Sequence, residues 1–294
     1  FDLPVDALGI LRTDHPHYYR GKQGEESETE FVDRIVGNLE NMIVREGPDT
    51  IAAFIAEPIT GASGVIVPPA GYYQKVQAVL NKYDIMFWAD EVITGFGRTG
   101  NDFGCTTMGI ETPDMMTFAK QLSSAYMPIS ASAIRREMYD AMIEQSATAG
   151  AFGHGYTYSG HPVACAVALK TLEIYTRDNI FEKAAVTGEY LQKRLAEFRD
   201  HPLVGEVRGM GLIGAIELVA NKETGAPFVG GAVGGYAQKV AQDNGLLIRA
   251  VAGSSLGFCP PLIITNEQID EMMAAVAIAL DTTLEHCKKE NLLV

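Results

Sequence analysis

Three short apolar runs, each ending on a functional side chain, constrain this chain more than any other feature. "TIAAFIAEP" stops at Glu57-Pro58, "DIMFWADE" at Asp90-Glu91 and "PDMMTFAK" at Lys120. Runs of this length bounded by breakers read as buried strands, and a fourth, "PISASAI", follows. Helical patterns lie around them. "SETEFVDRIVGNLENMIVREG" repeats Phe31, Ile35, Leu39 and Ile43 every four residues behind Ser27 or Thr29 as caps, and "AGYYQKVQAVLNKY" is amphipathic too. Strands alternating with helices at this spacing predict an α/β fold, a mostly parallel sheet covered by helices. Such sheets bind ligands beyond the carboxyl ends of their strands, where Glu57, Asp90 and Lys120 all fall.

From about residue 162 the pattern changes. "HPVACAVALKTLEIYTRD" and "IFEKAAVTGEYLQKRLAEFRD" read as consecutive helices, and "LVGEVRGMGLIGAIELV" as a hairpin with glycines at its turn. "GYAQKVAQDNG" is a helix closed by Gly245, "LLIRAV" a strand, and "TNEQIDEMMAAVAIALDTTLEHCKKE" a long helix capped by Thr265 or Asn266. The expected organisation is a larger part over 1–165 and, over 166–294, connecting helices with a smaller α+β domain.

Two stretches spell G-x-G-x-x-G: "GFGRTG" at Gly95 and "GMGLIG" at Gly209. A dinucleotide fingerprint needs those glycines to follow a strand and open a helix whose N-terminus meets the pyrophosphate. "NDFGCTTMGIETPD" after the first copy has no helical period, and "AIELV" after the second is a strand. The glycines read as turns. Charge narrows the partners further. With 23 Lys and Arg against 37 Asp and Glu, the net charge is −14 and no basic cluster offers a nucleic-acid face. The four cysteines are scattered without C-x-x-C spacing, no H-E-x-x-H appears, and no apolar run approaches a membrane span. Reduced thiols, no metal site and a cytoplasmic location are the expectations.

A strand-end lysine and a strand-end aspartate in one α/β site match the needs of pyridoxal phosphate. The lysine forms a Schiff base with its aldehyde, and the carboxylate keeps the pyridine nitrogen protonated, so that the ring takes up electrons. On the residues alone, an aspartate that caps the next turn and a solvated lysine compete with that reading.

The phrases "EPITGASGVIVPP", "WADEVITGFGRTG", "PDMMTFAKQLSSAYMPISA", "FGHGYTYSGHPVACAVAL", "EVRGMGLIGAIEL" and "GLLIRA" resemble, in order, the class III (ω-type) pyridoxal-phosphate aminotransferases of fold type I. The opening "FDLPVD…DHPHYYR" looks most like the amine:pyruvate branch. The resemblance implies that Lys120 is the Schiff-base lysine, which then moves the proton between substrate carbon and cofactor. It implies Asp90 as partner of the pyridine nitrogen, Val92 against one ring face, and Thr157 on the cofactor phosphate of a neighbouring subunit, hence a homodimer with a shared active site. Arg249 matches a mobile arginine that pairs with substrate carboxylates, a task suited to its planar fork. Glu57 and Ala62 match positions near cofactor and substrate. Tyr156 and Tyr158 beside Thr157 read as pocket-lining or core side chains, and His154 and His161 as loop hydrogen-bonders.

The implied activity is transfer of an amino group from an amine or ω-amino acid to pyruvate or a similar keto acid. Small-molecule amine and keto acid are then the partners. The sequence departs from the family where Gln121 and Ala125 replace usual glycines. It also starts after the Gly-Ser phosphate turn and the ring-stacking aromatic that normally come first, so an uncovered sheet face or edge is expected. A mutase, racemase or decarboxylase of the same fold, and a non-catalytic remnant, are the alternatives.

Overall fold

The computed structural model describes residues 9–294, so the phrase "FDLPVD" lies outside the described residues. After one turn, α1 (Tyr18–Gly21), the first long helix is α2 (Glu28–Glu46). Ser27 caps it in a reciprocal box: its hydroxyl accepts from the Glu30 amide, and the Glu30 carboxylate accepts from the Ser27 amide at 2.9 Å. Phe31, Ile35, Leu39 and Ile43 are all buried, as the four-residue period requires. They pack with Tyr72, Tyr73, Val76 and Leu80 of α3 (Tyr72–Lys82) over Phe87 and Ala89 of the sheet.

That sheet has the order β1 (Ala53–Ala56), β2 (Met86–Asp90), β3 (Met115–Phe118), β4 (Ala131–Ile134). The first three strands are parallel, with Ile55 opposite Trp88 and Trp88 opposite Met115, and β4 returns antiparallel. The expectation of wholly buried strands is corrected at both edges. Ile55 is 56% exposed on β1, and three of the four β4 residues are exposed. Each edge strand has a neighbour on one side only among the described residues, and no helix covers Ile55 there.

α4 (Gly104–Met108) lies between β2 and β3, and α5 (Arg136–Ala149), α6 (Pro162–Arg177) and α7 (Ile180–Ala196) run from β4 to the second sheet. The second sheet follows the order β5 (Val204–Met210), β6 (Ile213–Asn221), β9 (Ser255–Phe258), β8 (Arg249–Val251), with β7 (Ala226–Pro227) added to β6. β5 and β6 form the expected hairpin around Gly211-Leu212. The strand expected over "LLIRAV" is only three residues long, and Leu247 is 83% exposed. Its partner β9 runs into Pro260-Pro261, which have no N–H to continue the ladder. α8 (Ala232–Asp243) and α9 (Asn266–Lys289) cover one face, the latter capped by a Thr265–Gln268 box. Leu191, Leu195, Leu212, Ile216, Leu256, Val276 and Leu280 are fully buried in the core they enclose.

Candidate active site

The carboxyl ends of β1, β2 and β3 deliver Glu57, Asp90 and Lys120 to one edge of the sheet. Lys120 opens a 3-10 turn (Lys120–Leu122) with φ 40°, a left-handed backbone that non-glycine residues adopt at a cost of about 1–3 kcal/mol. Ser124 and Ala125 continue this irregular path at φ 49° and 62°. Ala125 thus occupies, without being glycine, the region that glycine favours. The lysine side is exposed, and Ser123 anchors the segment through its hydroxyl on the Met127 carbonyl at 2.7 Å.

Asp90 is half-buried, and its Oδ1 accepts the Val92 amide at 3.0 Å, which fixes the carboxylate against the first turn after the strand. Glu57 accepts the Gly61 amide at 2.8 Å, while Tyr73 donates its hydroxyl to the Glu57 carbonyl. Burial pushes the Glu57 carboxyl up, the Asp90 charge adds to that, and the Gly61 amide and Lys120 pull against it. The side-by-side strand ends bring the three side chains near enough for Asp90 and Lys120 to act on the Glu57 charge. Glu57 and Asp90 also face a cleft of about 450 Å³ whose apolar wall includes Leu39, Ile43 and Phe54.

The remaining sequence candidates are placed as follows. Val92 is half-buried beside Asp90, and Ala62 is exposed at the tip of the loop that Glu57 grips. Thr157 lies in an exposed turn at 157–160. Tyr156 and Tyr158 are each 78% exposed, which removes the core alternative for both within this chain. His161 does bond within its loop, accepting from the Val163 amide as cap of α6, whereas His154 contacts Phe152 and Tyr156 through ring edges and faces. Arg249 is exposed at the first position of β8 and forms no ion pair among the described residues.

Two groups escaped the sequence reading. Glu91 is fully buried, and its carboxylate accepts the Thr94 hydroxyl at 2.5 Å and the Gly104 and Cys105 amides at 2.9 and 2.7 Å. A short helix does follow "GFGRTG", but its first amides are taken by this carboxylate. Arg98 is buried in the same motif, donating to the carbonyls of Leu212 and Pro260 at 2.9 and 2.6 Å, while the Leu212 amide returns to the Arg98 carbonyl. The two glycine motifs therefore pack on each other: a Cβ on Gly211 would stand 2.5 Å from the Thr99 carbonyl carbon.

The sequence pattern of the aminotransferase class-III family matches residues 10–280. The chain belongs to that family. Among its family relatives are gamma aminobutyrate transaminase 3, chloroplastic, of Solanum lycopersicum and the probable gamma-aminobutyrate transaminase 3, mitochondrial, of Oryza sativa subsp. indica. The first is 49% identical over 284 residues, 96% of this chain and 54% of the relative. The second is 49% identical over 290 residues, 97% of this chain and 55% of the relative. The chain spans about half the length of the curated relatives it matches. Among solved class III folds, a transaminase with L-alanine superposes at a TM-score of 0.93 with 50% identity over 97% of this chain and 67% of that one. The omega transaminase of Pseudomonas jessenii in complex with PMP gives 0.92 at 48% identity, over 97% of this chain and 62% of that one. The fold is thus the fold type I α/β architecture of this family, and no helix among the described residues is long and apolar enough to cross a membrane.

Proposed function

We propose that the protein is a pyridoxal-phosphate-dependent aminotransferase that moves an amino group from an amine or ω-amino acid to pyruvate or a similar keto acid. The observation that carries this reading is the meeting of Lys120, Asp90 and Glu57 at adjacent strand ends, with Lys120 on a strained left-handed backbone. The donor set suits the cofactor: an exposed amine for its aldehyde, and beside it a carboxylate held as an acceptor by the Val92 amide. Bound pyridoxal phosphate supplies the electron sink for the carbon bearing the amino group. With the cofactor bound, Lys120 Nζ would take and return the proton of that carbon, and Asp90 would hold the proton on the pyridine nitrogen. Val92 would pack on its ring, and Glu57 and Ala62 would border cofactor and substrate. Arg249, free of ion pairs among the described residues, pairs with the substrate carboxylate.

The names of the relatives support an ω-amino acid as donor, and the alanine complex supports pyruvate as acceptor. A homodimer with a shared active site fits the exposed Thr157 turn, since no residue from 124 to 163 is buried within this chain. We assign 1–165 to the cofactor-binding part and 166–294 to the connecting helices and small domain, a division supported by the two sheets, which fall on either side. Four free cysteines suit a reducing compartment, and the cytoplasmic location read from the sequence widens to organelle interiors given the plant relatives' names.

Incubation with pyridoxal phosphate, borohydride reduction and mass mapping test the reading. The cofactor is expected on Lys120, with alanine formed from pyruvate only when an amine donor is present. Turnover without a keto acid would point to a mutase, racemase or decarboxylase, and a folded chain that leaves Lys120 unlabelled would be non-catalytic.

A further inference from the structure

We infer that Arg208, in the β5–β6 hairpin, is a positioning residue that sets the substrate-side loop 61–65 and couples it to the hairpin carrying Arg249. The inference rests on the aminotransferase reading for what the loop does, and on geometry for how it is held. Ala62 and Ser63 are exposed at the loop tip, while Gly61 and Gly64 on either side are buried. Glu57 grips the near end at the Gly61 amide. Arg208 grips the far end: its Nε donates to the Gly64 carbonyl at 2.9 Å.

The loop needs such a grip. Gly64 has φ 110° and Val65, a β-branched residue, has φ 56°, conformations that persist only where the surroundings over-determine them. Arg208 is itself immobilised, with a side chain only 7% exposed. Its Nη1 meets Glu206 Oε2 at 2.6 Å and Glu217 Oε2 at 2.5 Å, and its Nη2 donates to Ser255 Oγ at 3.2 Å. Ser255 is the first residue of β9, and Ala252, in the turn from β8, comes within 3.3 Å of where a Gly64 Cβ would stand. One guanidinium therefore joins the loop bearing Ala62 to the hairpin bearing Arg249, the two segments assigned to the substrate.

The cluster around it is balanced without a metal. His17 Nε2, Glu206 and Glu217 present ligand atoms within 4.8 Å of one another, but Arg208 and Arg20 already neutralise the two carboxylates, Arg20 Nε lying 2.6 Å from Glu217 Oε1. Arg20 shares this charge network and does not touch the loop, which makes it the natural control. Lysine at 208 keeps the charge, but a single Nζ cannot serve the carboxylates, Ser255 and the Gly64 carbonyl together.

The test compares the full chain with Arg208→Lys, Arg20→Gln and Ser255→Ala by amide hydrogen exchange, followed by amino-transfer kinetics. The amides of Gly64, Val65 and Ile66 are bonded within the loop and report its order. In Arg208→Lys they are expected to exchange about tenfold faster, with the KM for the amine raised about tenfold and kcat within about twofold. Arg20→Gln should match the parent in both readouts. Ser255→Ala, which keeps every charge, should give the Arg208→Lys pattern at about threefold, and it carries the test if Arg208→Lys does not fold. Unchanged loop exchange in Arg208→Lys and Ser255→Ala, or an equal rise in Arg20→Gln, overturns the inference. A parent chain that transfers no amino group refutes the aminotransferase reading, and the exchange comparison then decides the loop-positioning role alone.

Discussion

Replacing Glu91 by glutamine changes one atom in a fully buried group and tests how the strand end is built. The carboxylate serves three donors: Thr94 hydroxyl and Gly104 amide on Oε2, Cys105 amide on Oε1. In the better orientation of the substituted side chain, its amide oxygen replaces Oε2 and keeps the first two. Its NH2 then faces the Cys105 N–H, so two donors are buried against each other and one charge-assisted bond is lost. An unsatisfied buried donor and a lost bond to a charged group together cost about 3 kcal/mol. At roughly 2.1 cal/mol/K of unfolding entropy per residue, that lowers the melting temperature of this chain by about 5 °C. Near-UV circular dichroism during heating measures it, and hydrogen exchange at Gly104 and Cys105 should accelerate in parallel. A Glu91→Gln variant that melts within about 1 °C of the parent would refute the account of Glu91 as the group that joins the β2 end to α4.

Three further outcomes are expected. Gly211→Ala, at φ 56° and against the Thr99 backbone, should cost about 2–4 kcal/mol by chemical denaturation, and a neutral result would mean that the two glycine motifs do not pack as described. Under native conditions a disulfide-exchange reagent should modify exposed Cys259 first. Cys105 and Cys287, buried with thiols pushed up by that burial, should react only on unfolding, so prompt loss of all four thiols would contradict the burial. Acid should destabilise the fold in two stages. Burial, with help from His17 and Arg208, lowers His15, and burial lowers His201 against the pull of Asp281. The unfolded chain therefore takes up protons first, and stability falls as pH drops below 6.5. Glu206 is held down by His17 and Arg208 despite burial, so its contribution is lost below 4.5, whereas the raised Glu57 acts before that point, gaining stability as pH falls toward 4.5. A urea midpoint that stays flat between about pH 7.5 and about pH 5.5 would rule out the histidine stage.

Much of the fold was legible because its signals are local. The period of α2 and its Ser27–Glu30 box lie within one stretch, as does the Thr265–Gln268 box of α9. The short apolar runs ending in Glu57, Asp90 and Lys120 revealed the strand ends and the edge where chemistry gathers. What escaped was non-local or unsupported by burial. α5 has Met138, Tyr139, Met142 and Ile143 at helical spacing, yet it buries none of its residues, so no core face stands out. β9 is an interior strand, but "SLGF" carries serine and glycine and is too short to alternate. α4 is only five residues long, and Glu91, thirteen or more positions upstream, takes its first amides. The Arg208 cluster joins His17 to Glu206 and Arg20 to Glu217 across 189 and 197 residues, separations at which no sequence spacing speaks.

The two sheets differ in how completely they are buried, and that difference predicts an order of opening. The second sheet closes its own core: Leu212, Ile216 and Leu256 are fully buried, and α8 and α9 lie over it. In the first sheet β1 exposes Ile55 and β4 is mostly exposed, and the flanking stretches leave Tyr126 before β4 and Phe152, Tyr156 and Tyr158 after it from 65% to 81% exposed. Local stability follows buried apolar contact, so amides of β5, β6 and β9 should exchange by global unfolding while those of β4 and α5 open first. If a second copy covers residues 124–163, raising the protein concentration should slow exchange in β4 and α5 and leave β6 unchanged. Protection in α5 equal to that in β6 at the lowest concentration measured would show that this surface is stable on its own, and would remove the packing argument for a shared site.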